Sequence, residues 1–304
     1  MVASMQGPSP QPSRRGREIA LLTNPTAGRG RGARHRDVAL PRLRAAGFVV
    51  RNLQGRDADE ALDLARACVA DGVEALVVCG GDGLTHLGAQ AVAGTGVPLG
   101  LIPSGTGNDV ARYLGLPRRD PAAAADRVVA SRTRTLDLAR SGDRWFVTVM
   151  AAGFDAVVNE RANDMRWPRG QMRYNLATVA ELPTFRPIPY VLQLDDETVE
   201  TEAMLVAVGN GPSFGGGLRI TEGAELDDGL LDVVVVGRMT KRKLVRSYPR
   251  LFTGSIDGLA EYSRHRVKQV TVAAPGIVAY ADGERFGPLP LTVECVPGAL
   301  EVIA

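Results

Sequence analysis

The chain has 304 residues, 45% of them hydrophobic and 23% charged, enough for two domains with packed cores. A net charge of +2 and an aromatic share of 5% give neither the basic field nor the aromatic-and-basic surface of a nucleic-acid binder, so no nucleic-acid partner is expected. No run approaches the ~18 apolar residues of a membrane span, and three widely spaced cysteines, Cys68, Cys79 and Cys295, predict buried thiols rather than a disulfide framework or a zinc site.

Residues 1–17 are rich in Pro, Ser, Gly and Arg and lack the apolar centre of a signal peptide, so a disordered tail and a cytoplasmic location are expected. From 18 to 134, strand-like and helix-like runs alternate. Apolar runs at 19–23, 48–53, 75–79 and 99–102 predict strands, and 31–46, 58–70 and 122–130 predict helices. This alternation predicts an α/β domain, a parallel sheet with helices on both faces. Beyond 134 the texture changes to short β-rich runs at 135–139, 145–150, 191–194, 199–209, 231–236, 267–273, 277–280, 291–296 and 300–303. Turn residues divide them, which predicts a β-sandwich-type second domain over 135–304. Helical insertions are expected at 156–181 and 241–252. Whether the last strand returns to the first domain is left open.

Three predicted strands of the first domain end in polar, glycine-containing turns. The first runs into Asn24-Pro25-Thr26-Ala27-Gly28, the third into Gly80-Gly81-Asp82-Gly83, and the fourth into Pro103-Ser104-Gly105-Thr106-Gly107-Asn108-Asp109. Glycines let backbone amides approach a ligand closely, and a following helix start directs further amides and its dipole at the same point. Parallel sheets bind ligands beyond the carboxyl ends of their strands, so the three turns predict one phosphate site. Arg29, Arg31 or Arg34 could meet phosphate oxygens, or form an ordinary solvated loop. Asp82 beside phosphate requires a divalent cation between them or a proton-handling role. Taken alone, Gly-Gly-Asp-Gly is also a plain strand-to-helix turn.

Asn-Pro-x-Ala-Gly, Gly-Gly-Asp-Gly and Pro-x-Gly-Thr-x-Asn-Asp, in this order, resemble the diacylglycerol kinase catalytic-domain family of soluble bacterial lipid kinases, related to sphingosine and ceramide kinases. Asp227-Asp228-Gly229-Leu230-Leu231-Asp232 and Ala281-Asp282-Gly283-Glu284 extend the resemblance, which runs from about residue 18 to the C-terminus. It implies a first domain like those of phosphofructokinases and NAD kinases, with ATP and Mg2+ as cofactors. It implies that Asp282 accepts the proton of the acceptor hydroxyl, with Glu284 beside it. Asn24, Asn52, Gly80, Gly81, Asp82, Gly83, Thr85, Thr106, Asn108 and Asp109 would hold the nucleotide and its magnesium. Asp228, with the carbonyls of Glu225 and Leu230, would form a second-domain metal loop, although Asp-Asp-Gly is also a common turn. The chain departs from the family at Leu84, where most members have Thr, at Asn52, and at Arg285, where Pro is usual.

The expected activity is transfer of the γ-phosphate of ATP to diacylglycerol, giving phosphatidic acid for phospholipid biosynthesis. Alternatives are another lipid alcohol (a sphingoid base or ceramide), a soluble-substrate kinase such as an NAD kinase, and a lipid-binding regulator. A lipid substrate implies peripheral membrane contact. The basic residues Lys241, Arg242, Lys243, Arg246 and Arg250 on an amphipathic segment are one expected docking face, and a segment with Trp167 is its rival. An ordinary helix packed on its own domain is the alternative for 241–252. A homodimer is left open.

Overall fold

The computed structural model describes residues 17–25, 27–165, 180, 185–247 and 249–304. Of the expected tail at 1–17 only Arg17 is among them, and it is held by Glu74 at 3.1 Å and Ser131 at 3.0 Å rather than free; residues 1–16, most of the insertion at 156–181, Trp167 and Tyr248 lie outside them. In chain order the first part comprises β1 (Glu18–Thr23), α1 (Ala27–Ala45), β2 (Val49–Leu53), α2 (Ala58–Ala70), β3 (Ala75–Gly80), α3 (Asp82–Val92), β4 (Leu99–Pro103), α4 (Asp109–Tyr113) and α5 (Pro121–Ala130). Its strands are parallel, in the order β4-β3-β1-β2. β1, β3 and β4 are buried on both faces, which is why they read as unbroken apolar runs. Successive side chains face opposite layers: Ile19, Leu21 and Val77 meet Leu43 and Val128 on one side, and Ala20, Leu22, Leu76 and Val78 meet Ala65 and Val92 on the other. α2 starts at Asp57, whose side chain accepts from Glu60 N at 2.9 Å.

The second part holds β5 (Thr133–Ser141), β6 (Arg144–Phe146), β7 (Val149–Gly153), α6 (Phe154–Asp164), β8 (Ile188–Leu194), β9 (Glu197–Gly209), β10 (Leu231–Gly237), β11 (Tyr262–Val267), β12 (Gln269–Ala273), β13 (Val278–Ala281), β14 (Glu284–Pro288) and β15 (Leu291–Ile303). β7, β8, β9, β10, β12 and β13 pair antiparallel around a core that includes Phe146, Tyr190, Leu192, Val206, Val233 and Val270. The last strand reaches the first domain. β15 pairs with β12 and β5 and then runs parallel to β4 at Val302↔Leu99, and Ile303 is buried in the α1/α5 layer.

Several differences from the sequence reading bear on the site. The expected strand at 145–150 is interrupted at Val147 and Thr148, between β6 and β7. The expected run at 267–273 breaks at Lys268, because Asp195 accepts from the amides of Lys268 and Gln269. The runs at 291–296 and 300–303 are one strand whose register shifts between Val296 and Leu300. The expected helix at 241–252 divides into Lys241–Ser247 and Arg250–Thr253, with Pro249 at the start of the second. Among the described residues no helix is long and apolar enough to cross a membrane.

Candidate active site

The three turns meet: the third lies against both the first, at Gly28, and the second, at Gly81. Gly81 is extended at the N-cap of α3, and the first turn of α3 carries no side-chain cap among the described residues. A Cβ on Gly105 would lie 2.5 Å from Gly81 Cα. Only glycine at both positions lets the loops pass at this distance. Arg31 donates to Gly28 O and Gly105 O, each at 3.0 Å, and thereby ties the first turn to the third. Arg34 is exposed. The hydroxyls of Thr23 and Ser104, at the ends of β1 and β4, are buried without a partner among the described residues. Asn24 and Thr106 are exposed at the loop tips, whereas Asn52 lies exposed on edge strand β2, opposite Leu21.

Asp82 turns inward. Its Oδ2 accepts from Asn108 N at 2.8 Å and its Oδ1 from Asp109 N at 2.7 Å, at the start of α4. Asn108 has a left-handed backbone, φ 54°, and closes its own loop: Oδ1 accepts from Gly105 N and Nδ2 donates to Gly105 O, both at 3.0 Å. Asp109 is buried, pairs with Arg112, and accepts from Gly216 N of the second domain at 2.7 Å. Burial raises the Asp82 carboxyl above its ordinary range, and the neighbouring charge of Asp109 adds to this against the two amide bonds.

Asp282 is the most heavily hydrogen-bonded carboxylate of the site. In left-handed conformation, φ 52°, it follows β13 and reaches back to the break between β6 and β7. Its Oδ2 accepts from Val147 N and faces His86 Nδ1, both at 2.9 Å; its Oδ1 accepts from Thr148 N at 2.8 Å and Thr148 Oγ1 at 2.6 Å. Burial alone would push this carboxyl up, but the hydrogen bonds from His86, Thr148 and Val147 outweigh it and hold the group below its usual range. Asn210, fully buried, fixes the strand break by donating to Val147 O at 2.8 Å and Asp137 O at 3.0 Å. Glu284 is exposed and its Oε1 lies over the first turn of α3, 2.8 Å from where a Cβ on Gly83 would stand. A chamber of about 10 Å³, room for one water, is lined by Asp82, Thr85, His86, Asp109, Thr148 and Asp282 among others.

The loop of Glu225, Asp228 and Leu230 does not line this chamber. Asp228 Oδ1 accepts from Leu230 N at 3.0 Å, and its Oδ2 pairs with Arg266. Asp227 pairs with Arg134 at 2.7 Å. Buried Asp137 accepts from Gly229 N at 2.7 Å and Gly298 N at 2.8 Å, stapling the loop to the bulge of β15. Among the described residues no group of three or more His, Cys, Asp or Glu side chains is arranged to hold a metal ion. Thr148, Asn210, Asp137 and Gln90 escaped the sequence reading. Each is a single polar residue whose partner is remote in sequence, so no local pattern marks it.

The glycine-rich α/β domain is thus joined to the β-sandwich through the buried carboxylates Asp109 and Asp282. Residues 18–141 match the diacylglycerol kinase catalytic domain, and 148–304 match the YegS C-terminal NAD kinase beta sandwich-like domain. The chain is 46% identical to a diacylglycerol kinase of Mycobacterium tuberculosis (strain ATCC 25618 / H37Rv) over 94% of each protein. It is 31% identical to a probable lipid kinase YegS-like of Pseudomonas fluorescens over 87% of this chain and 88% of that protein. A solved diacylglycerol kinase from Bacillus anthracis str. Sterne shares the fold, with a TM-score of 0.71, 22% identity, and 96% and 98% of the two chains covered. The chain belongs to the diacylglycerol kinase family, a kinase family that uses ATP.

Proposed function

We propose that the chain transfers the γ-phosphate of ATP to the hydroxyl of diacylglycerol, forming phosphatidic acid. One observation carries this reading. Helix α3 offers first-turn amides that no described side chain caps beside the Gly81–Gly105 contact, and one turn later its His86 meets Asp282. A single rigid element thus positions both the phosphate cradle and the acceptor carboxylate. The buried, partnerless hydroxyls of Thr23 and Ser104 at the strand ends fit a ligand above the same loops.

Asp282, held ionised by its donors, accepts the proton of the attacking hydroxyl. Of those donors, three are backbone amides or an anchored ring, and only the Thr148 hydroxyl turns about a single bond. The acceptor hydroxyl therefore takes up the Thr148 position on Oδ1. Glu284, over the first turn of α3, orients groups on the nucleotide side. Asp82, raised by burial and further by the neighbouring Asp109 charge, would be stabilised by a dication and suits Mg2+ near the phosphates, whereas Asp109 is already held by Arg112 and Gly216 N. Bound there, the ion would neutralise charge on the transferring phosphoryl group. The Asp228 loop fits a cation poorly, since the Arg266 guanidinium already faces Oδ2, and no step is routed through it.

The names of the relatives support a lipid acceptor, and a lipid acceptor requires contact with a bilayer surface. The helices Lys241–Ser247 and Arg250–Thr253 suit that contact. Val245 is 53% and Phe252 50% exposed, among the exposed Arg242, Arg246 and Arg250, while Leu244 and Leu251 pack inward. Lys243 is engaged by Glu261 at 2.6 Å. The test is phosphate transfer from radiolabelled ATP to vesicles carrying diacylglycerol, ceramide or a sphingoid base, with NAD as the soluble competitor. Phosphatidic acid as the main product is expected. A phosphorylated sphingolipid or NADP as the main product, or no product at all, would replace this reading by the corresponding alternative.

A further inference from the structure

His86 lies 8% exposed between two partners. Its Nδ1 faces Asp282 Oδ2 at 2.9 Å and its Nε2 faces Gln90 Nε2 at 3.4 Å. Gln90 is one turn further along α3, and both ends of its amide are fixed by one residue of β6. Trp145 N donates to Gln90 Oε1 at 3.1 Å, and Gln90 Nε2 donates to Trp145 O. The amide therefore cannot flip without setting two donors and two acceptors against each other. With its orientation set by the Trp145 backbone, Gln90 presents an N–H to His86 Nε2. That nitrogen must accept, so the ring proton sits on Nδ1, the nitrogen that meets Asp282.

We propose that His86 and Gln90 are positioning residues for the phosphotransfer: Gln90 keeps Nε2 of the imidazole an acceptor, so that the ring stays neutral with its proton on Nδ1, and the imidazole fixes the orientation of Asp282. The proposal deepens the reading in which Asp282 accepts the substrate proton, and rests on it. Among the described residues, the charged groups that line the chamber with His86 are three acids. Asp282 faces the ring from the turn after β13, and Asp82 and Asp109 line the same chamber from α3 and α4. Without the Nδ1–H donor, Asp282 keeps only its bonds to Val147 and Thr148. Its ionisation then requires a higher pH, and its orientation loosens. A purely structural role, stitching α3 to β6, would change stability alone.

The experiment compares wild type with His86→Leu, His86→Asn, Gln90→Leu and Asp282→Asn for kcat, KM for ATP, pH profile and thermal unfolding, using diacylglycerol vesicles. His86→Leu should lower kcat by on the order of 10²-fold, the cost of a reacting group displaced by about 1 Å, and move the acid limb of kcat to higher pH. KM for ATP should stay within about threefold of wild type. His86→Asn, which restores an N–H donor, should recover much of the loss. In ¹⁵N-histidine spectra the wild-type ring should be the Nδ1–H tautomer with Nε2 accepting a hydrogen bond, and Gln90→Leu, which leaves Asp282 and His86 in place, should remove that bond and let Nε2 take up a proton at higher pH than in wild type. A wild-type kcat and pH profile in both His86→Leu and Gln90→Leu, with Asp282→Asn still slow, overturns the proposal and leaves the phosphotransfer reading standing. If Asp282→Asn is also unimpaired, both fall. Should His86→Leu fail to fold, Gln90→Leu decides by the same criteria.

Discussion

Gly105→Ala isolates the contact between the two glycine loops. Gly105 is not among the residues with positive φ, so alanine suits its backbone and the added methyl group is the whole perturbation. That methyl would stand 2.5 Å from Gly81 Cα and 2.9 Å from Asn108 Oδ1. Carbon atoms pack at ~3.5 Å or more, so the loops must part by about 1 Å. Neither neighbour is the end of a flexible chain: one is backbone, and the other is held to Gly105 by two hydrogen bonds. The stability cost should be that of an overpacked site, about 1–3 kcal/mol. The functional cost should be larger, on the order of 10²-fold in kcat/KM for ATP, as for a 1 Å displacement of positioned groups. Calorimetric ATP titration, steady-state kinetics and thermal melts measure these separately. Gly115→Ala is the control. It has φ 66° and nothing within 4 Å of an added methyl, so it should cost about 1–2 kcal/mol of left-handed strain and leave ATP kinetics unchanged. A Gly105→Ala protein with wild-type kcat/KM for ATP would refute the claim that the nucleotide sits over this contact.

Asp282→Asn should keep ATP binding and lower turnover by on the order of 10²–10⁴; near-normal turnover would remove Asp282 from the chemistry. The same variant has a pH signature. The folded Asp282 carboxyl lies below its ordinary value of 3.8, so its stabilisation is complete above that value and is lost as pH falls through the lowered one. Melts of wild type and Asp282→Asn should therefore converge as the solution is acidified below about pH 4, and a gap that stays constant contradicts the assignment. Asp228→Ala should destabilise the protein to a similar degree with and without Mg2+, because its partners are Leu230 N and Arg266; a loss seen only with Mg2+ present would instead favour the metal loop implied by the family resemblance. Charge reversal of Arg242, Arg246 and Arg250 to Glu should weaken sedimentation with anionic vesicles, most strongly at low salt, and unchanged sedimentation would exclude this face.

What the sequence made legible follows from where the physics is local. β1, β3 and β4 are covered on both faces, so their apolar runs and the glycine turns after them identify a parallel sheet without any knowledge of partners. β14 leaves no apolar run because Glu284 and Arg285 are exposed; only the Asp282-Gly283 turn, readable as a hairpin between Tyr280 and Arg285, points to its pairing with β13. The direction of Asp82 was hidden for a related reason. Its spacing from the glycines places it at the start of α3, but only the fold brings Asn108 N and Asp109 N to its oxygens. Thr148 lies 134 residues from Asp282, and no pattern within an apolar run marks it as a donor. The departure at position 84 has the same explanation. A Cβ on Gly80 would meet the Leu84 side chain at 2.7 Å, and Leu84 packs on the core, whereas Thr85 lines the chamber and bonds Gly81 O at 3.3 Å. The first turn of α3 thus keeps a hydroxyl at the site one residue later than the family pattern, and Leu84 serves the packing beneath Gly80. The Gly-Gly-Asp-Gly motif and His86 then act as parts of one helix: Asp82 ties it to the third loop, and His86 ties it to Asp282 in the second domain.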